Sequence, residues 1–234
     1  MELDYGFMIE TFYKIWDGIG VTLGLTALSL LIALPISFYM AVVRLRGNKL
    51  GAGITRFYVS FVRGTPLVLQ ILLMYSLLPS FLNFALKSMG SSFNIFESVN
   101  PFWYAVIVFS LNTIALLTEV FRSALMSIDK GQMEAGRSLG LSWMQTMRYI
   151  ILPQAFKNVI PPLGNEFISM TKETSLVSVI GFEELTRRGQ LIIAKTYGSF
   201  EIWMTVAALY LIMTLSIAQL VSFLERRFAT DDRN

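Results

Sequence analysis

IGVTLGLTALSLLIALPISFYMAVV, residues 19–43, contains no charged side chain. A helix rises about 1.5 Å per residue, so about 20 apolar residues cross the roughly 30 Å hydrocarbon core of a bilayer. This stretch is long enough to do so and too apolar to face water. The rest of the chain agrees. Of its 234 residues 54% are hydrophobic and 15% charged, where a soluble domain carries about a quarter charged residues, and its mean hydropathy is +0.59. Further spans are expected over residues 57–78, 102–125, 160–180 and 200–224. The second holds Arg63, the third Glu119 and Arg122, and the fifth only Glu201; the fourth is the least apolar, with Glu166, Lys172 and Glu173. The expectation is an all-α integral membrane protein of five transmembrane helices, forming one domain over residues 1–234.

Cysteine and histidine are absent. That excludes disulfides, thiolate or imidazole metal sites, and catalysis by either side chain. No metal, cofactor or nucleic-acid partner is expected. A G-x-x-x-x-G-K-[ST] phosphate loop is also missing, so any ATP hydrolysis belongs to another polypeptide. The start, residues 1–17, carries Glu2, Asp4, Glu10 and Asp17 without a basic cluster and does not read as a cleavable signal peptide. Phe7, Phe12 and Trp16 alternate there with Glu10, Lys14 and Asp17. The segment is either a short amphipathic helix in the outer interface or a ragged start to the first span.

Basic residues set the orientation. Arg44, Arg46, Lys49 and Arg56 populate the first connector, and Lys130, Arg137, Arg148 and Lys157 the third. Positive connectors stay in the cytoplasm, which places the N-terminus outside and the C-terminus, with Arg226 and Arg227, inside.

The third connector, residues 126–159, is too long for a passive turn. Asp129 with Gln132, and Ser142 with Gln145, fit the reciprocal helix-start cap. Gly140 fits a helix stop, and Pro153 and Pro161-Pro162 are expected to break the chain again. The expected product is two short cytoplasmic helices with a corner at Gly140-Leu141-Ser142. Trp143, Met144, Met147 and Tyr149 either dock into a partner's groove or pack back on the bundle.

Within this connector Glu134-Ala135-Gly136, then Gly140, then Ile150-Ile151-Leu152-Pro153 resembles the E-A-A, three residues, G, nine residues, I-x-L-P signature of ATP-binding-cassette importer permeases. Gly136 stands where that family usually has a second alanine. Arg63-Gly64-Thr65-Pro66-Leu67, Ser138-Leu139-Gly140-Leu141-Ser142, Leu152-Pro153-Gln154-Ala155 and Lys172-Glu173-Thr174-Ser175-Leu176 resemble its polar-amino-acid branch, the histidine, glutamine, arginine and cystine type. The resemblance implies the type I permease fold with cytoplasmic coupling helices, in a multi-pass protein of the bacterial inner membrane. It implies three partners besides the lipid bilayer. These are an ATPase subunit dimer docking on Glu134, Ala135, Gly136, Gly140, Leu141, Ser142 and Pro153, a second permease subunit, identical or related, and an extracytoplasmic amino-acid-binding protein.

Polar groups inside the spans are the second candidate site, because a charge at mid-bilayer costs several kcal/mol unless it is paired or faces water. Glu119 and Arg122 share a helix face, and Asn112 lies two turns before Glu119 on that face. Lys172, Glu173, Thr174 and Ser175 follow one another in the fourth span. With Thr65 these supply both donors and acceptors, as an amino acid's carboxylate and ammonium require. The alternative is a structural network, or Arg122 reaching the cytoplasmic headgroups. Gly64 and Pro66 either open a helix break whose backbone lines a cavity or only kink the second span. Glu166 faces either the cavity or the cytoplasmic end of the bundle. The function expected is import of polar L-amino acids by alternating access. The rivals are a self-sufficient secondary transporter and a membrane assembly or sensory subunit that moves nothing.

Overall fold

The computed structural model describes residues 4–46, 49–90 and 93–229. Glu2, in the acidic start, and Gly47 and Asn48, in the first connector, lie outside the described residues. The elements in order are α1 Tyr5–Trp16, α2 Gly18–Leu45, α3 Lys49–Arg63, α4 Leu67–Ser88, α5 Ile95–Ser98, α6 Pro101–Met126, α7 Lys130–Ser138, α8 Trp143–Thr146, α9 Leu152–Glu173, α10 Leu185–Thr196 and α11 Ser199–Ala229. A π-helical turn, Met147–Ile151, joins α8 to α9, and a 3-10 segment, Thr174–Ile180, prolongs α9.

Among the described residues four stretches are long and apolar enough to cross a membrane: Tyr5–Leu45, Leu67–Ser88, Pro101–Met126 and Ser199–Arg227. α9, with 22 residues, matches them in length and misses by composition, because Glu166, Lys172 and Glu173 interrupt it. A five-span bundle is compatible with these helices.

The centre of the bundle is the packing of α2 on α6. In lipid there is no hydrophobic gain from helix contact, so close packing of small side chains drives it. α2 buries Thr22, Thr26, Ser29, Ala33, Ser37 and Ala41 along one stripe, and α6, buried on several sides, buries the small side chains Ala105, Ser110, Thr113, Ala115, Thr118 and Ala124. Some polar members are satisfied within their own helix: Thr26 donates to Thr22 O at 3.0 Å and Thr118 to Ile114 O at 2.6 Å, while the buried hydroxyls of Thr22 and Ser110 have no hydrogen-bond partner among the described residues. Ser29 instead crosses to Val106 O at 3.4 Å. Leu25, Phe109, Leu117, Phe121 and Met170 fill the spaces between α2, α6 and α9.

Several expectations change. The helix expected over residues 57–78 is two helices, since the chain leaves helical geometry between Arg63 and Leu67. Residues 49–56, expected in the connector, already belong to α3. Pro153 and Pro161-Pro162 do not break the chain: α8 runs through the π turn into α9, with Pro153 in its first turn and Pro161 and Pro162 inside it. The helix expected over 160–180 therefore starts far earlier and changes at Thr174 into 3-10 geometry.

The N-terminal α1 is a distinct helix, turning into α2 at Asp17. Phe7, Phe12 and Ile15 pack with Leu185 of α10 and Ile202 and Leu209 of α11, leaving Tyr5, Ile9, Tyr13 and Trp16 exposed. α10 itself begins on Glu184, a fully buried carboxylate. It accepts from the N–H groups of Thr186 and Arg187 and from the Tyr210 hydroxyl, each at 2.8 Å. Burial pushes this carboxyl up from its usual range, against the donors that hold it down.

Candidate functional site

The break between α3 and α4 lies at the middle of the bundle's height. Tyr58 of α3 donates to Leu111 O at 2.5 Å, and Val59 and Val62 pack on Ala115. Residues 111–115 are the centre of α6. Gly64 weakens the helix and Pro66 pushes Thr65 away from helical geometry. The carbonyls freed by the break do not stay bare. Thr65 donates to Phe61 O at 3.1 Å, and Gln70 Nε2 donates to Val62 O at 2.9 Å, Thr65 O at 3.1 Å and Thr65 Oγ1 at 2.8 Å. Asn112 Nδ2 in turn reaches Gln70 Oε1 at 3.4 Å. Thr65 and Asn112 thus meet through Gln70, which the sequence reading passed over. Its signal was a single amide four residues after Pro66 in an apolar run.

A second polar wall stands on α9. Thr113 Oγ1 donates to Met170 Sδ at 3.1 Å, which sets Met170 at the same height. Glu166 and Glu173, seven residues apart, lie on one face on either side of that level, both half-buried. Lys172 is exposed and Ser175 half-buried. Thr174 is fully buried and donates to Thr171 O at 2.8 Å, so it faces the bundle. Among the described residues no hydrogen bond or ion pair joins this wall to Thr65, Gln70 or Asn112.

Glu119 and Arg122 do pair, with a third partner. Arg122 Nε and Nη2 each lie 2.8 Å from Glu119 Oε2, and Arg44, at the end of α2, holds Oε1. Both carboxylate oxygens are thereby occupied where the C-terminal parts of α2 and α6 meet. Arg44, read from sequence only as an orientation signal, is a structural cation as well. Nothing local predicts the contact, since Arg44 and Glu119 are 75 residues apart.

The cytoplasmic corner forms by local chemistry. Asp129 caps α7 through the Gly131 N–H at 2.6 Å, without the reciprocal bond from Gln132. α7 ends in a double closure, Leu141 N–H to Gly136 O at 3.1 Å and Gly140 N–H to Arg137 O at 3.0 Å, with Gly140 at φ +84°. Ser142 and Gln145 then make the complete reciprocal cap of α8. Gly136 lets α7 lie close on α8, because a Cβ there would sit 2.6 Å from Thr146 Cγ2. Trp143 and Met147 pack back with Leu125 and Val42, and the Arg46 guanidinium carbon lies 4.9 Å from the Trp143 ring centre. Leu139, Met144 and Tyr149 remain exposed, as do Glu134, Ala135 and Pro153.

These features define a polytopic helical membrane protein with a preformed cytoplasmic corner and polar groups at mid-height. The chain belongs to the family of binding-protein-dependent transport system inner membrane components, which matches residues 33–230. It is 37% identical to the glutamine transport system permease protein GlnP of Escherichia coli (strain K12), over 97% of this chain and 98% of that one. It is 33% identical to the arginine transport system permease protein ArtQ of Bacillus subtilis (strain 168), over 99% and 100%. It is 36% identical to the L-cystine transport system permease protein TcyB of the same organism, over 93% and 88%. Among solved structures it resembles an amino acid ABC transporter crystallised with histidines, at TM-score 0.83 and 36% identity, over 97% of this chain and 100% of that one. The MetNI methionine transporter in its inward-facing form shares the fold, at TM-score 0.68 and 18% identity, over 97% and 99%. The chain is therefore a multi-pass inner-membrane permease subunit of an ATP-binding-cassette importer, a transport component whose ATPase is a separate subunit. Its family implies an ATPase and a binding protein as partners.

Proposed function

We propose that this subunit carries polar L-amino acids into the cytoplasm by alternating access. It pairs with a second permease subunit, identical or related, is supplied by an extracytoplasmic binding protein, and is driven by an ATPase dimer seated on Glu134, Ala135, Gly136, Gly140, Leu141, Ser142 and Pro153. The observation that carries this reading is the pair of polar walls at mid-height, the α3–α4 break and α9. Glutamine, arginine and cystine, the substrates named for three relatives, differ in side chain and share an ammonium and a carboxylate. A site that offers both signs and neutral amides suits that shared part. Asn112, Thr65, Lys172, Glu173 and Ser175 are the proposed lining at this level, with Thr174 buried behind them and Glu119 and Arg122 toward the cytoplasmic mouth. In this reading the N-terminus lies outside and the C-terminus inside, which the basic residues of the first and third connectors support.

The test is uptake of labelled glutamine, arginine and cystine by proteoliposomes. They contain this chain, its ATPase and its binding protein. Uptake that requires both partners and ATP is the expected result. Uptake by this chain alone supports a secondary transporter, and ATPase binding without any uptake supports an assembly subunit.

A further inference from the structure

α3 is not one of the helices apolar enough to cross a membrane, yet it climbs from the cytoplasmic end of α2 to mid-height. Its surface divides into three stripes. Ala52, Thr55, Val59 and Val62 are buried against the bundle. Leu50, Ile54, Phe57 and Phe61 are exposed and suit lipid, at 75%, 62%, 73% and 59% exposure. Between these runs a third stripe, Lys49, Gly53, Arg56, Ser60 and Arg63, recurring at intervals of four and three residues and exposed throughout. It carries three cations and no acid. None of Lys49, Arg56 and Arg63 forms an ion pair among the described residues.

Depth decides what this stripe faces. Lys49 to Arg63 rises about 20 Å, somewhat more than half of the roughly 30 Å hydrocarbon core. With Arg63 beside the centre of α6, Lys49 reaches the cytoplasmic headgroups. Lipid cannot cover the upper part, because a charge at mid-bilayer costs several kcal/mol there. A closed protein contact would desolvate three like charges without an acid on the same edge to offset them. A hydrated passage leaves them solvated and gives them a mobile anion to hold.

We propose that the Lys49–Gly53–Arg56–Ser60–Arg63 edge of α3 lines the inward half of the translocation path, with Arg63 receiving the substrate's carboxylate at mid-height and Arg56 and Lys49 drawing it toward the cytoplasm. The identity of that carboxylate rests on the amino-acid reading above; the existence of the path does not. Ser60 and Gly53 complete the edge with small side chains that leave it open.

The chain has no cysteine, so single cysteines report without background. In the assembled transporter Ser60→Cys is expected to react with the anionic thiol reagent MTSES several-fold faster than with the cationic MTSET. Phe57→Cys, on the lipid stripe, is expected to react with neither. Adding Arg63→Gln to Ser60→Cys should abolish the preference for the anion. A position 60 as unreactive as position 57, as a covering second subunit or lipid would produce, overturns the path, and so does reactivity without charge preference. In proteoliposomes Arg63→Gln should cut uptake of glutamine or arginine by at least about tenfold, the loss of one charge-assisted hydrogen bond, with Arg63→Lys recovering part of it. Normal uptake by Arg63→Gln overturns the assignment of Arg63. If the unmodified transporter imports no amino acid, that reading fails, while the labelling pattern still decides the path.

Discussion

Residues 63–66 and residues 153–162 look alike as sequence, each a place where proline should end a helix, and the structure treats them in opposite ways. At the first, α3 stops at Arg63 and α4 starts at Leu67, with non-helical backbone between them. At the second, one helical rod continues from Trp143 to Glu173 through three prolines. Proline removes one N–H and crowds the carbonyl four residues back. Pro161 and Pro162 each remove one N–H from α9, about 12 to 14 Å of helix rise before Met170 at mid-height. Ahead of Pro153 the wider π turn absorbs the misfit. Within the membrane a break survives only where protein groups or a water-lined cavity take over the freed carbonyls. Gln70 and Thr65 do so. What separates the two regions is the supply of replacement partners.

The largest effect is therefore expected from Gln70→Leu. It leaves Val62 O and Thr65 O without the amide that holds them, and destabilisation of about 2 to 4 kcal/mol should follow, read as a fall in the melting temperature of the purified transporter. Asn112→Leu, touching the break only through Gln70, should cost less. Equal melting temperatures for Gln70→Leu and the parent would remove Gln70 from the account of the break.

Gly140→Val tests a stop that the sequence made by itself. A β-branched residue at φ +84° costs about 1 to 3 kcal/mol. The variant should insert normally, retain less ATPase in pull-down, and import poorly. Full retention of the ATPase would detach the corner from docking.

Glu119→Gln is expected to be next. It leaves Arg44 and Arg122 facing each other, at a cost of about 1 to 2 kcal/mol because the side chains are partly solvated. Combining it with Arg122→Met should restore part of the melting temperature. Restored stability with restored uptake marks the cluster as a structural tie between α2 and α6. Restored stability without uptake keeps Glu119 in the path.

The smallest effect is expected from Pro161→Ala. If the rod merely tolerates this proline, returning an N–H to this turn of α9 should leave stability unchanged or raise it by less than about 1 kcal/mol. A clear loss would mean that the proline shapes α9, and the contrast with residues 63–66 would narrow.

The sequence by itself determined what depends on neighbours in the chain. Apolar runs near 19–43, 102–125 and 200–224 became α2, α6 and α11 because length and hydropathy suffice to define a membrane helix. The corner at residues 140–142 was legible for the same kind of reason: a glycine able to reach positive φ and a serine three residues before a glutamine close helix ends with no outside help. Only the tertiary structure decided whether proline would break a helix, which arginine would hold Glu119, and that Gln70 would clamp Val62 and Thr65. It also decided that Trp143 and Met147 turn inward while Met144 and Tyr149 stay exposed. Some of these turn on a partner that folding brings near, Arg44 for Glu119 across 75 residues and Asn112 for Gln70 across 42, while the Gln70 clamp reaches back only five to eight residues, across a break in the helix. A buried polar group is stable only when such a partner exists, and hydropathy and spacing along the chain do not say whether it does.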